Sequence, residues 1–384
     1  MTRRMRLRPR SAGPRAGTVR DAGEFVAALP ALLGFHPQAS LVVAGLGDPG
    51  RRVGLVMRSD LPPEPLHGAG PDPGPPGAQL HRFVAHLVST LQRSGPESAI
   101  IAVIGGSVGG GTASSDPPPG PLPWHDLVAL VTEQLEAAEM TLHTAVWAAG
   151  TRPGDRWACY QECRCDGTVP GDSATAFAAG AALNGTVVHA GRDELTRIVA
   201  PIDAEVLSRR EAMIEQEIDA LAGTDLVTEE RPLASTALSA VSDALADAAA
   251  GRLVLDDHRV VELAVALGTP EVRQAALRHV ALLAAAGPDD DPPAGVERER
   301  AAAEQLWAAL ARETPAPEAA EAASMLAVSA LLRGDGALAN VALDRAGEAW
   351  PGHLLSRQLR AAAALGMRPE QLRAALLDRS GEDG

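Results

Sequence analysis

The sequence predicts an α/β N-terminal domain, a mixed sheet flanked by helices, followed by an all-α, partly tetratricopeptide-like C-terminal domain. Three observations carry this. Apolar β-rich runs alternate with helical stretches up to residue 201. From Ile202 onward no strand signal recurs, and Ala- and Leu-rich segments of helical period follow one another. Near 319–352 two helical stretches flank Gly334-Asp335-Gly336, with small residues where they would cross and Pro351 closing the second, which suits either one tetratricopeptide-like unit or an ordinary helical hairpin in a bundle. The expected division is a disordered basic arm over 1–20, an α/β domain over 21–201, a helical domain over 202–378 and a tail over 379–384.

Residues 21–34 read as a short amphipathic helix stopped by Gly34. Ser40 to Gly45 is a continuous apolar run, hence a buried strand, and Arg52 to Arg58 is its partner. Gly47-Asp48-Pro49-Gly50 between them has hairpin composition, so the two should run antiparallel. The Pro/Gly-rich stretch 62–77 reads as a loop, His81 to Gln92 as a helix, Ser98 to Ile104 as a buried strand, and 105–123 as a second loop. A helix over Trp124 to Met140, strands over Thr141 to Ala148 and Thr186 to His189, and a helix over Arg192 to Val199 complete the first half. In the second half, helices fit 203–222, 234–250, 257–267 and 270–286. Beyond an acidic, Pro-rich break at 287–296 they fit 297–312, 316–333, 335–348, 352–365 and 369–378.

Composition excludes some functions. All 34 basic residues are arginine, so this chain has neither a Schiff-base lysine for pyridoxal phosphate nor a P-loop lysine. A net charge of −15 repels phosphate backbones and anionic lipid heads, so neither nucleic acid nor membrane is an expected partner. The arm, with Arg3, Arg4, Arg6, Arg8, Arg10, Arg15 and Arg20, is the exception. No apolar run is long enough to span a bilayer and the arm lacks a secretory apolar core. Three cysteines give no disulfide framework, and the expected compartment is a reducing cytoplasm.

Four places offer chemistry. His36 lies between Gly34-Phe35 and Pro37, which holds its backbone extended. It reads either as a general base or as a brace for a loop. Arg58 and Asp60 end the second strand and suit either an ion pair or a ligand crevice. If the first two strands form a hairpin, both fall at the same edge as His36. That edge is the amino end of the first strand, the wrong end for a crevice in a parallel sheet. The glycine-rich run Gly105 to Thr112 lacks a lysine and a following helix, and reads as a linker. Cys159, Cys163 and Cys165 hold every thiol in the chain. Thiolates suit zinc, with His143, His189 or Asp166 as a fourth ligand, and Arg156 and Arg164 suit a redox thiol. Unligated thiols in a strand and turn remain the alternative. No Ser–His–acid motif and no paired zinc-binding histidines on one helix are recognisable.

Phe25 to Leu46 (FVAALPALLGFHPQASLVVAGL), Arg58 to Pro62 (RSDLP), Gly154 to Tyr160 (GDRWACY), Gly185 to Pro201 (GTVVHAGRDELTRIVAP) and Ala303 to His353 together resemble the domain of unknown function 4192 family. The resemblance spans about residues 20–378 and implies an intracellular actinobacterial protein. It brings no activity with it. Relatives often carry adjacent cysteines followed by proline and glycine, where this chain has Arg164-Cys165-Asp166-Gly167. The functional expectation is an interaction or scaffold protein, or a small-ligand sensor, whose helical half binds a protein partner. The alternative is an enzyme using His36, Arg58 and Asp60 at the sheet edge. No resident cofactor is expected, with zinc at the three cysteines as the one candidate.

Overall fold

The computed structural model describes residues 21–47, 52–62, 75–105, 121–163, 165–171, 188–222, 226–284 and 294–378. The basic arm, the tail, the turn after Gly47, most of the two Pro/Gly-rich loops and most of the acidic break lie outside the described residues. The chain divides into two compact units between Arg192 and Asp193.

The first unit is built on one six-stranded sheet, in the order β2-β1-β3-β4-β5-β6. Its strands are β1 (Ser40–Gly47), β2 (Arg52–Asp60), β3 (Ser98–Ile104), β4 (Thr141–Ala148), β5 (Arg156–Cys159) and β6 (Asp166–Thr168). β1 pairs antiparallel with both β2 and β3, β3 pairs parallel with β4, and β5 and β6 continue antiparallel. The expected hairpin of β1 and β2 and the mixed sheet are both present. β1 and β3 are buried along almost their whole length, as continuous apolar runs require when both faces are covered.

Three helices do the covering: α1 (Ala22–Leu33), α2 (Pro75–Arg93) and α3 (His125–Ala137). One face carries Leu41, Val43, Ile101, Val103 and Trp147, packed with Val84, Leu87, Leu91 of α2 and Leu127, Val131, Leu135 of α3. α1 packs on β4 and β5. Its Phe25, Val26 and Leu29 are fully buried, each contributing about 1.5–3 kcal/mol. Asp21 caps α1 by accepting from the Glu24 N–H at 2.8 Å, and Gly34 ends it in the left-handed conformation, as glycine alone does without strain. α2 begins at Pro75, six residues before the expected start. Prolines fit a helix's first turn, where no N–H is needed. β6 is a three-residue strand without a periodic signal, which sequence reading had no means to find.

The second unit is all-helical: α4 (Arg192–Val199), α5 (Ala204–Ala222), α6 (Leu226–Ala249), α7 (Asp257–Gly268), α8 (Pro270–Leu283), α9 (Ala294–Glu313), α10 (Ala319–Arg333), α11 (Gly336–Ala349), α12 (Leu354–Ala364) and α13 (Pro369–Asp378). α10 and α11 form the expected helical hairpin, with Gly334 left-handed between them and Asp335 capping α11 through the Leu338 N–H. α10 packs against α7, α8, α9, α11, α12 and α13, and Ala319 to Ala330 are all buried. In a solenoid each repeat meets only its neighbours. α10 is instead the central helix of a bundle, which is why Glu321, Ser324 and Ser329 on it are buried too.

No helix among the described residues is long and apolar enough to cross a membrane.

Candidate functional site

The paired row Asp60, Ser40, Ile104 and Ala148 marks one edge of the sheet. Because β1 runs against β3 and β4, its amino end lies beside the carboxyl ends of that parallel pair. His36 is therefore at the edge where ligands gather in α/β sheets. The expectation that it sits at the wrong end assumed a parallel β1, and strand polarity across a long connection is not written in local sequence.

At this edge Arg58 is deeply engaged. Its Nε donates to the Ser40 hydroxyl at 2.8 Å, it pairs with Asp60, and its guanidinium lies 5.8 Å from the centre of the Phe35 ring. Arg192 approaches the other Asp60 oxygen at 3.8 Å. The His36 imidazole Nδ1 lies 2.8 Å from the buried Thr151 hydroxyl beyond β4, and its backbone N–H donates to His189. His189 bridges to Phe35 by its backbone rather than ending a regular strand, while Thr186 and Val187 lie outside the described residues. Arg58 and Asp60 are thus together. The Phe35–Ser40 segment joins them to His36, whose ring engages Thr151. The arrangement ties β1, β2 and β4 together. Of the glycine-rich run only Gly105 is described; its carbonyl accepts from the Trp147 indole at 3.1 Å.

The thiols are at the other end of β5. The Cys159 N–H donates to the Cys165 carbonyl at 2.8 Å, so the two residues oppose each other across the β5–β6 hairpin. Cys159 pairs with Val146 of β4. Cys163 comes from the turn, and all three sulfurs lie within 4.8 Å of one another. Cys159 is half-buried, whereas Cys163 and Cys165 are exposed. Burial, with Cys163 nearby, pushes the Cys159 thiol up to about 12. A hydrogen bond from Cys165 holds Cys163 below the usual thiol range and raises Cys165. Metal–sulfur bonds of about 2.3 Å imply sulfur separations near 4 Å, so the donors fit a thiophilic ion.

Among the described residues no histidine nitrogen or carboxylate oxygen joins this group. Asp166 pairs with Ala158, so it projects from the face opposite Cys159, where it meets Arg156 at 3.2 Å. His189 belongs to the opposite edge. His143 is the extra residue of a bulge in β4, where Ala99 and Ile100 face Leu142 and Thr144.

Sequence reading missed a Ser–His–acid chain in the helical unit. Ser324 Oγ lies 3.1 Å from His353 Nδ1, and His353 Nε2 lies 3.3 Å from Glu321, which also pairs with Arg273 at 2.6 Å. The acid and serine share one helix turn, a spacing without a motif. Ser324 is fully buried, and His353 Nδ1 also accepts the Ser356 N–H that begins α12. The chain therefore pins α12 to α10 and offers no nucleophile to a substrate. Between α6, α8 and α9 lies a cleft of about 740 Å³, lined by Leu238, Val241 and Val272 together with His279, Arg298 and Glu299.

The family model described as Domain of unknown function (DUF4192) matches residues 23–370. The chain belongs to the DUF4192 family. No curated protein and no solved structure matches it. The match spans residues of both units, from α1 into α13.

Proposed function

We propose that this DUF4192 protein is a cytoplasmic metal-binding sensor whose α/β unit holds a thiophilic ion at Cys159, Cys163 and Cys165. The carrying observation is the convergence of three sulfurs within 4.8 Å, from the end of β5, the turn after it and the residue just before β6. Thiolates are the ligands that zinc and copper(I) prefer. Titration of the reduced protein with zinc should raise a thiolate-to-metal absorption band, and the triple Cys→Ser variant should lack it. The same titration is run with copper(I), and an unchanged spectrum in the wild type with both ions overturns the reading.

The helical unit then serves a protein partner. Trp350, Leu354, Leu365 and Met367 are large apolar side chains left exposed in its last third, which supports that role. A pull-down with Trp350→Ala and Leu354→Ala controls tests it.

One observation favours a second reading, an enzyme with its site at the sheet edge. His36, Arg58 and Asp60 stand at the carboxyl ends of β3 and β4, with His36 as the base. A His36→Ala protein that melts like wild type but loses a co-purified metabolite would support it.

A further inference from the structure

We infer that the thiol cluster is a three-coordinate site and that its ion is copper(I) rather than zinc; this rests on the metal-binding reading above. Structural zinc is four-coordinate and tetrahedral, and its closed sites take all four ligands from protein. Here the donor group closes at three sulfurs among the described residues. Neither Glu162, beside Cys163, nor His143 of β4 joins the group, and Asp166, beside Cys165, is turned to the other face of the hairpin and held by Arg156. The histidine at the opposite sheet edge, His189, is bound by its backbone to Gly34 and His36.

Three soft donors without nitrogen or oxygen suit a monovalent d¹⁰ ion, which is stable in three-coordinate thiolate surroundings. With metal–sulfur bonds of about 2.3 Å, a planar three-sulfur site needs sulfur separations of about 4.0 Å. That lies inside the 4.8 Å limit the three atoms already meet. The hairpin supplies rigidity at two corners, because Cys159 and Cys165 face each other across a backbone hydrogen bond. Cys163, in the exposed turn, supplies the adjustable third. Zinc in the same site would have to complete its shell with water or an outside ligand, and would be held less tightly.

The test uses the full chain, reduced with a phosphine and titrated separately with zinc and with copper(I) against a chromophoric copper(I) chelator. X-ray absorption then counts the ligands. The expected result is about one copper(I) per chain, bound by three sulfurs with no nitrogen or oxygen, and displacement of prebound zinc by one equivalent of copper(I). Cys163→Ser and Cys165→Ser, both at exposed positions that leave the sheet intact, should each weaken copper(I) binding. The loss should exceed the roughly 10–100-fold cost of outer-shell changes. Zinc held by four ligands and resistant to copper(I) overturns the three-coordinate copper(I) site while leaving metal binding standing. Failure of both ions to bind overturns the metal reading itself.

Discussion

The His36 imidazole meets the Thr151 hydroxyl at 2.8 Å, joining the residue ahead of β1 to one beyond β4 across 115 positions of chain. The contact closes the sheet edge between two strands that are not neighbours. Removing either partner leaves a polar group at a buried or half-buried position, so His36→Ala and Thr151→Val should each cost about 1–3 kcal/mol. The midpoint of urea unfolding should fall with little change in slope. Wild-type stability in both variants would show that the contact braces nothing.

The Ser324–His353–Glu321 chain should behave as a structural element. His353→Ala removes the cap of α12, leaves the buried Ser324 hydroxyl without its imidazole and takes one of two partners from the Glu321 carboxylate, and should cost more than the roughly 1 kcal/mol of a cap alone. A serine-directed phosphonate should leave Ser324 unlabelled in the folded protein. Labelling of Ser324 without unfolding would mean that the bundle opens to substrates.

Asp257 gives the stability a defined acid limb. Hydrogen bonds from Arg209 and Arg210 lower its carboxyl to about 2. The folded value lies below the unfolded one of about 3.9, so the stabilisation is present above that pH and is lost as pH falls toward 2. Asp257→Asn should therefore be less stable than wild type at neutral pH, and the two should converge between about pH 4 and pH 2. A difference that persists unchanged at pH 2 would contradict the ion-pair account. Arg210 is nearly buried and also binds Glu313 at 2.6 Å, so the network links α5, α7 and α9.

Thiol reactivity should follow the hairpin geometry. Cys163 is exposed and held below the usual thiol range, whereas Cys159 is half-buried and raised to about 12. The thiolate is the nucleophile. Iodoacetamide at mildly alkaline pH should modify Cys163 first and Cys159 last, as peptide mapping by mass spectrometry reads directly. Fastest reaction at Cys159 would contradict the arrangement.

Much of the fold is legible in sequence because its signals are local. The apolar runs of β1 and β3 and the helical periods after Ile202 need no partner to be recognised. The hairpin of β1 and β2 follows from its intervening turn composition. What stays hidden is set by long-range pairing. The polarity of β1 against β3 decides that His36 shares an edge with the carboxyl ends of β3 and β4, and no residue near His36 encodes it. β6 is too short to show a period, yet it brings Cys165 opposite Cys159. The thiols themselves are visible as a cluster, but which neighbours could join them depends on faces of strands. Asp166, next to Cys165 in sequence, lies on the wrong face. The small-residue spacing near 319–352 encodes a tight helical hairpin; that α10 is enclosed by six helices depends on the rest of the bundle.

The most direct measurement is the metal content of the full-length protein purified without a metal-affinity tag, reduced, offered zinc and copper(I), and freed of loosely held ions by gel filtration. The account predicts about one equivalent of metal per chain, absent from the Cys159→Ser/Cys163→Ser/Cys165→Ser variant under the same treatment, since such binding depends on deprotonated thiols. Less than about a tenth of an equivalent in the wild type, or equal metal in the two proteins, would contradict it.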